Sequence, residues 1–255
     1  MTGILEPFTV ATSYELIKIA KREGWLKQLI DLARRKNHAL LLGSTGAGKT
    51  QFLRSTNEII SPAISPAART EFATVGRFEI NDSLFDLIDT PGQLEHRPRR
   101  DAETKEAIKQ KLHGIINFVS YGFHEYGVPL QDVISGEQVK PEYLQEHQKR
   151  EIDLIAEWAP LMSTEWVLTV VTKADIWWDS RETVAQHYQG GAYQKRLARL
   201  FPNAHHIVRP YSSISSRFYG TIPGSGSFDD SVRSACRAEV FRVLAEAAKA
   251  GTKRK

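Results

Sequence analysis

The residues Gly43-Ser44-Thr45-Gly46-Ala47-Gly48-Lys49-Thr50 directly follow the apolar run Ala39-Leu40-Leu41-Leu42. Glycines at three of these positions let the backbone fold tightly, so that successive N–H groups converge on one point. The helix that follows the loop would turn its positive end to the same point. That combination suits phosphate oxygens. Lys49 adds a mobile cation for the outer phosphates, and the Thr50 hydroxyl is a hard oxygen ligand for Mg²⁺. Spacing and context both match the Gly-rich phosphate-binding loop that links a strand to a helix.

Two further clusters stand at the ends of apolar runs. Asp89-Thr90-Pro91-Gly92 follows Leu84 to Ile88. A carboxylate there is expected to hold Mg²⁺, and Gly92 lets its own N–H approach the terminal phosphate. Thr172-Lys173-Ala174-Asp175 closes the run Trp166 to Val171, at the sheet edge where α/β folds place ligands. The Asp175 carboxylate can accept hydrogen bonds from guanine N1–H and its 2-amino group. Adenine has no such donor pair, so Asp175 predicts GTP over ATP. The stem of Lys173 is placed to lie over the purine face.

The elements that must position these residues alternate in type. Strands are expected over Ala39–Leu42, Val75–Ile80, Leu84–Ile88, Gly114–Val119, Trp166–Val171 and His206–Pro210. Helices are expected from Phe52, over Asp101–Leu112, Tyr143–Trp158 and Asp229–Ala248, and through most of Arg181–Phe201. Residues 61–68 and 220–228 read as loops, and Gly122 to Lys140 as an irregular insertion. Before the first strand, Thr12-Ser13-Tyr14-Glu15 opens an extra helical segment as a capping box. Alternating strands and helices predict an α/β fold with a doubly wound, mainly parallel sheet. The expected division is an N-terminal helical extension, residues 1–37, and a P-loop domain, residues 38–255, with the insertion near 122–140.

The order of the three clusters, each at a strand end, resembles the small P-loop GTPases of the Ras-like and translation-factor-related (TRAFAC) superfamily, with no subfamily assigned. The resemblance covers about residues 38–215. It implies GTP or GDP as ligand, Mg²⁺ as cofactor and hydrolysis of GTP as a nucleotide-dependent switch. It also carries roles over by position. Thr74, in Thr74-Val75-Gly76, would be the first-switch threonine that binds Mg²⁺, with Thr70 as the alternative. Gln93 would position the attacking water, beside Lys49 and Thr74 in the catalytic set. Ser213 fits the last motif, whose backbone contacts the guanine oxygen, and Ser212 fits nearly as well. The nucleotide set implied is Gly43 to Thr50, Gly92, Thr172, Lys173, Asp175 and Ser213; the metal set is Thr50, Thr74 and Asp89.

Two departures carry consequences. Thr172 stands where the family has an Asn that braces the base loop against the phosphate loop, which predicts weaker guanine affinity. Thr45 stands where Ras has glycine, and a side chain there crowds Gln93. Turnover is therefore expected to be slow without a partner. Arg77, Arg97, Arg99 and Arg100 lie near the switches, but none is assignable as an arginine finger.

The bulk numbers fit one large domain. The chain has 255 residues and a net charge of +4, without the dense basic stripe that nucleic-acid binding favours. RNA or ribosome binding is therefore not the favoured partner class; a protein activator is. Cys236 is the only cysteine, which suits a reducing compartment and excludes an intrachain disulfide. No basic-then-apolar leader and no membrane-length apolar run is present, so the cytoplasm is the expected location. The rival readings are an ATPase on the same fold and a nucleotide-dependent binding module that does not hydrolyse.

Overall fold

The computed structural model describes residues 36–44, 46–57, 74–80, 83–89, 97–109, 112–123, 128–136, 138–214, 218 and 222–250. The expected N-terminal helix, Thr45, Thr70, Gly92 and Gln93 lie outside them. For Thr74 and Asp89 the backbone is described.

A six-stranded sheet organises the domain. Its strands are β1 (Lys36–Gly43), β2 (Thr74–Ile80), β3 (Ser83–Asp89), β4 (Gly114–Val119), β7 (Trp166–Val171) and β8 (His205–Pro210). The order across it is β2-β3-β1-β4-β7-β8. All neighbours pair in parallel except β2 with β3, which form an antiparallel edge pair. Strands β4 and β7 are buried along their whole length. That is why they read as unbroken apolar runs rather than alternating ones.

Period-two alternation sorts these side chains onto two faces. Leu40, Leu42, Ile115, Val119, Val167 and Val171 share one core cluster with Ile152 and Ile155 of α4 (Pro141–Ala156). Val184 and Tyr188 of α6 (Arg181–Gln189) and Tyr193 and Leu197 of α7 (Ala192–Leu200) complete that face. The intervening residues Ala39, Leu41, Ile116, Phe118, Leu168 and Val170 pack on the other face. Their partners are Phe52 and Leu53 of α1 (Lys49–Asn57) and Val240, Val243 and Leu244 of α8 (Asp230–Ala250). The sheet is thus covered on both sides, as the doubly wound reading requires.

One expected helical stretch is divided, and one expectation needs correction. The stretch from Arg181 to Phe201 is two helices, because Gly190 and Gly191 separate α6 from α7. A Cβ on Gly191 would come within 2.6 Å of the His187 carbonyl, so close backbone approach fixes the break. The segment read as irregular from Gly122 to Lys140 contains a one-turn helix, α3 (Leu130–Val133), and a two-stranded ribbon. The ribbon pairs β5 (Ile134–Ser135) with β6 (Gln138–Val139). Strands of two residues leave no periodicity to read.

The outer strand β8 is blunted against pairing. His205 N–H and Tyr211 N–H donate to β7-side carbonyls, so the even-numbered groups between them face outward. Pro210 has no N–H there, and Arg209 covers the outward Val208 carbonyl at 2.8 Å. Among the described residues no helix is long and apolar enough to cross a membrane. Cys236, on α8, is buried, and burial pushes its thiol up to about 11. It stays protonated at neutral pH and serves packing rather than nucleophilic chemistry.

Candidate nucleotide site

The C-terminal ends of β1, β3, β4 and β7 share one sheet edge, and the described members of the predicted site stand along it. The turn after β1 is left-handed at three glycines: Gly43 at φ 139°, Gly46 at 79° and Gly48 at 92°. A side chain at Gly43 would also bring its Cβ within 2.5 Å of the Phe118 carbonyl on β4. The loop can therefore be built only from residues without a Cβ at such points. It leads straight into α1, whose first residues are Lys49 and Thr50. Lys49 is buried, and its Nζ donates to the Gly43 carbonyl at 2.6 Å and the Ser44 carbonyl at 3.2 Å. The ammonium is thus held inside the loop by two of its carbonyls. This cradle, with a cation inside and a helix start beneath, fits the outer phosphates of a nucleotide.

Asp89, the last residue of β3, is the register partner of Leu41 on β1 and of Thr74 on β2. The two proposed metal positions Thr74 and Asp89 therefore stand directly across from one another, with Asp89 beside the strand that feeds the loop. Oxygen ligands of this kind, with the Thr50 hydroxyl, suit Mg²⁺.

Beyond β7 lies the base loop. Lys173 adopts a left-handed conformation, φ 58° and ψ 35°. Its Nζ donates to the Phe123 carbonyl at 2.5 Å and sits 5.3 Å from the centre of the Phe218 ring. Asp175 is buried, in the single-turn helix α5 (Ala174–Trp177). The Ser212 hydroxyl donates to Asp175 Oδ1 at 2.6 Å. Ser225 N–H donates to the Asp175 backbone carbonyl at 2.6 Å, so the Gly/Ser-rich loop before α8 packs onto the base loop. Of the two serines weighed from sequence, Ser212 orients the carboxylate. Ser213 follows it in the same loop and is half-buried.

Thr172 shows how the loop keeps its brace without an asparagine. Its Oγ1 lies 2.9 Å from the Ala47 carbonyl of the phosphate loop and 3.0 Å from the Val119 carbonyl. Val119 O also accepts the Thr172 N–H at 2.8 Å, so the contact to Ala47 is the one that spans the two loops. Trp177 donates its indole N–H to the Thr172 carbonyl at 2.7 Å. Base loop and phosphate cradle are thus joined by one buried hydrogen bond. Removing it leaves the Ala47 carbonyl unpaired, which costs roughly 1–3 kcal/mol. The Thr172→Val protein is expected to melt roughly 3–10 °C lower. Thermal denaturation followed by circular dichroism checks this, and an unchanged Tm would show that the hydroxyl braces nothing.

Phosphate loop, base loop and the parallel sheet with one antiparallel edge now stand in one frame. The domain is a doubly wound α/β fold with a phosphate-type loop after its first strand. No family model matches the chain, and no curated protein matches it in sequence. Among solved structures it is similar to Toc33 of Arabidopsis thaliana in complex with Mg²⁺ and GMPPNP. That likeness has a TM-score of 0.49 and 16% identity, over 96% of this chain and 95% of that one. It is also similar to the Arl6 small GTPase of Trypanosoma brucei, at a TM-score of 0.47 and 16% identity, over 84% of this chain and 98% of that one. A GTP-binding protein of Sulfolobus solfataricus matches at 0.44 and 16%, over 80% and 54%.

Proposed function

We propose that this domain binds GTP with Mg²⁺ and hydrolyses it to GDP and phosphate as a nucleotide-dependent switch. The observation that carries the reading is the Thr172 hydrogen bond to Ala47. It ties a buried, serine-oriented carboxylate to a phosphate cradle in one rigid unit. A ligand that satisfies both must carry a purine with two adjacent donors and a phosphate chain. Guanine nucleotides do.

Each residue then has a role. The loop amides from Gly43 to Gly48 and the Lys49 ammonium receive the β- and γ-phosphates, and Lys49 exchanges its carbonyl partners for phosphate oxygens. Thr50, Thr74 and Asp89 would hold Mg²⁺, which when bound neutralises charge on the β- and γ-oxygens. Gly92 N–H meets the γ-phosphate, and Gln93 orients water for in-line attack. Loss of the γ-phosphate frees the segments carrying Thr74 and Gln93. Asp175 accepts from guanine N1–H and the 2-amino group, Lys173 lies over the ring, and the Ser213 backbone meets the guanine oxygen. The reading also takes residues 1–37 as a helical extension, the cytosol as the setting and a protein activator as the partner.

Gln93→Ala separates hydrolysis from binding. Multiple-turnover phosphate release is expected to fall on the order of 100-fold, while GDP affinity stays unchanged. Equal release by parent and variant would remove Gln93 from the reaction.

A further inference from the structure

Beyond the base loop lies a buried polar cluster that the proposed chemistry does not use. Directly after β4, Ser120-Tyr121-Gly122-Phe123 forms a tight turn closed by Phe123 N–H to the Ser120 carbonyl at 2.9 Å. Both central residues are left-handed, Tyr121 at φ 49° and Gly122 at φ 76°. That is the pattern of a type I′ turn, which demands positive φ at both positions. Glycine meets the demand at 122, where a Cβ would also strike Val139 at 2.7 Å. Tyrosine at 121 does not, so the turn is strained at that residue. Strain of this kind persists only when surroundings over-determine it, and it gathers at ligand clamps.

The surroundings are two buried side chains. Glu151 of α4 accepts from Ser120 N–H at 3.0 Å through Oε1. Tyr188 of α6 accepts from Tyr121 N–H at 3.0 Å and donates to Glu151 Oε2 at 3.0 Å. His147, one helical turn before Glu151, places Nδ1 3.1 Å from the same Oε1. Glu151 is 2% exposed and Tyr188 fully buried. A carboxylate so deep is costly to bury, and apolar residues would stabilise the core at least as well. What it achieves here is a fixed turn. The output of that turn is the Phe123 carbonyl, which holds the Lys173 ammonium, and the Phe123 ring, which stands edge-on to Phe218 at 5.2 Å.

The geometry points to Glu151 and Tyr188 as positioning residues for nucleotide retention: they lock the Tyr121 turn, and the turn anchors Lys173 over the base. This rests on the guanine-nucleotide reading of the site. It adds a link from α4 and α6 to the rate at which nucleotide leaves, since any shift of these helices moves the Lys173 anchor.

The test uses the full chain with Tyr188→Phe, Glu151→Gln, Lys173→Ala and the Tyr188→Phe/Lys173→Ala double variant. Two ligands are measured: GDP, and inorganic tripolyphosphate, which fills only the phosphate cradle. Tyr188→Phe leaves Tyr121 N–H unpaired and is expected to weaken GDP on the order of tenfold, mainly through faster dissociation. Tripolyphosphate affinity should not change. In the Lys173→Ala background Tyr188→Phe should cost nothing further, which a merely structural role would not produce. Glu151→Gln keeps an acceptor for Ser120 and should show a smaller loss of the same kind, and it replaces Tyr188→Phe if that protein fails to fold. Equal losses for both ligands, or full additivity with Lys173→Ala, would overturn the proposal. Failure of the guanine reading shows separately, as a parent chain that holds ADP as tightly as GDP; the cycle is then read with ADP under the same criteria.

Discussion

Replacing Lys49 by alanine is expected to weaken guanine nucleotide binding by about 100-fold or more. The Lys49 ammonium is buried and held inside the phosphate loop by the Gly43 and Ser44 carbonyls. Nothing else in the described loop brings a positive side chain there. Removing one partner of a buried, hydrogen-bonded charge pair costs roughly 2–5 kcal/mol, and each 1.4 kcal/mol is about tenfold in affinity. The loss should be steeper for GTP than for GDP, because the γ-phosphate has most need of the cation. Fluorescent-nucleotide titration reads it, with circular dichroism to confirm the fold. Retained affinity would place the phosphates elsewhere.

Asp175→Asn is expected to change which base is accepted. The substitution keeps the shape of the side chain and an oxygen for the Ser212 hydroxyl, so the buried loop should hold its form. Its new amide N–H₂ faces the guanine 2-amino group, donor against donor. A site built for a hydrogen bond discriminates by large factors when a buried polar group is left unpaired. Guanine affinity should fall on the order of 100-fold. Xanthine nucleotides carry a carbonyl where guanine carries the amino group, so their affinity should rise in the variant. Competition of GDP against XDP measures both changes. A variant that keeps its guanine preference would remove Asp175 from base recognition.

Much of the frame was legible because it rests on local chemistry. A glycine pattern after an apolar strand has one economical use, and Gly43, Gly46 and Gly48 take the left-handed angles that use requires. The strands β1, β4 and β7 were visible as continuous apolar runs because helices cover both sheet faces. What escaped was set by partners distant in sequence. Thr172 read as a weak substitute for asparagine, yet its hydroxyl reaches the Ala47 carbonyl across 125 positions. Ser212 and Ser213 could not be separated until the Asp175 carboxylate was placed. Glu151, Tyr188 and Tyr121 carried no signal at all: a glutamate and two tyrosines on ordinary helix and loop positions become a network only when β4, α4 and α6 meet. The break at Gly190–Gly191 was spelled in the sequence but masked by helical residues on either side.

The central claim is that a carboxylate joined rigidly to a phosphate cradle selects guanine. Calorimetric titration of the purified chain with GDP and with ADP, at equal Mg²⁺, tests it most directly. The account predicts GDP binding tighter by about 100-fold or more, a difference of roughly 2.7 kcal/mol or greater. Equal affinities, or tighter ADP, would contradict it.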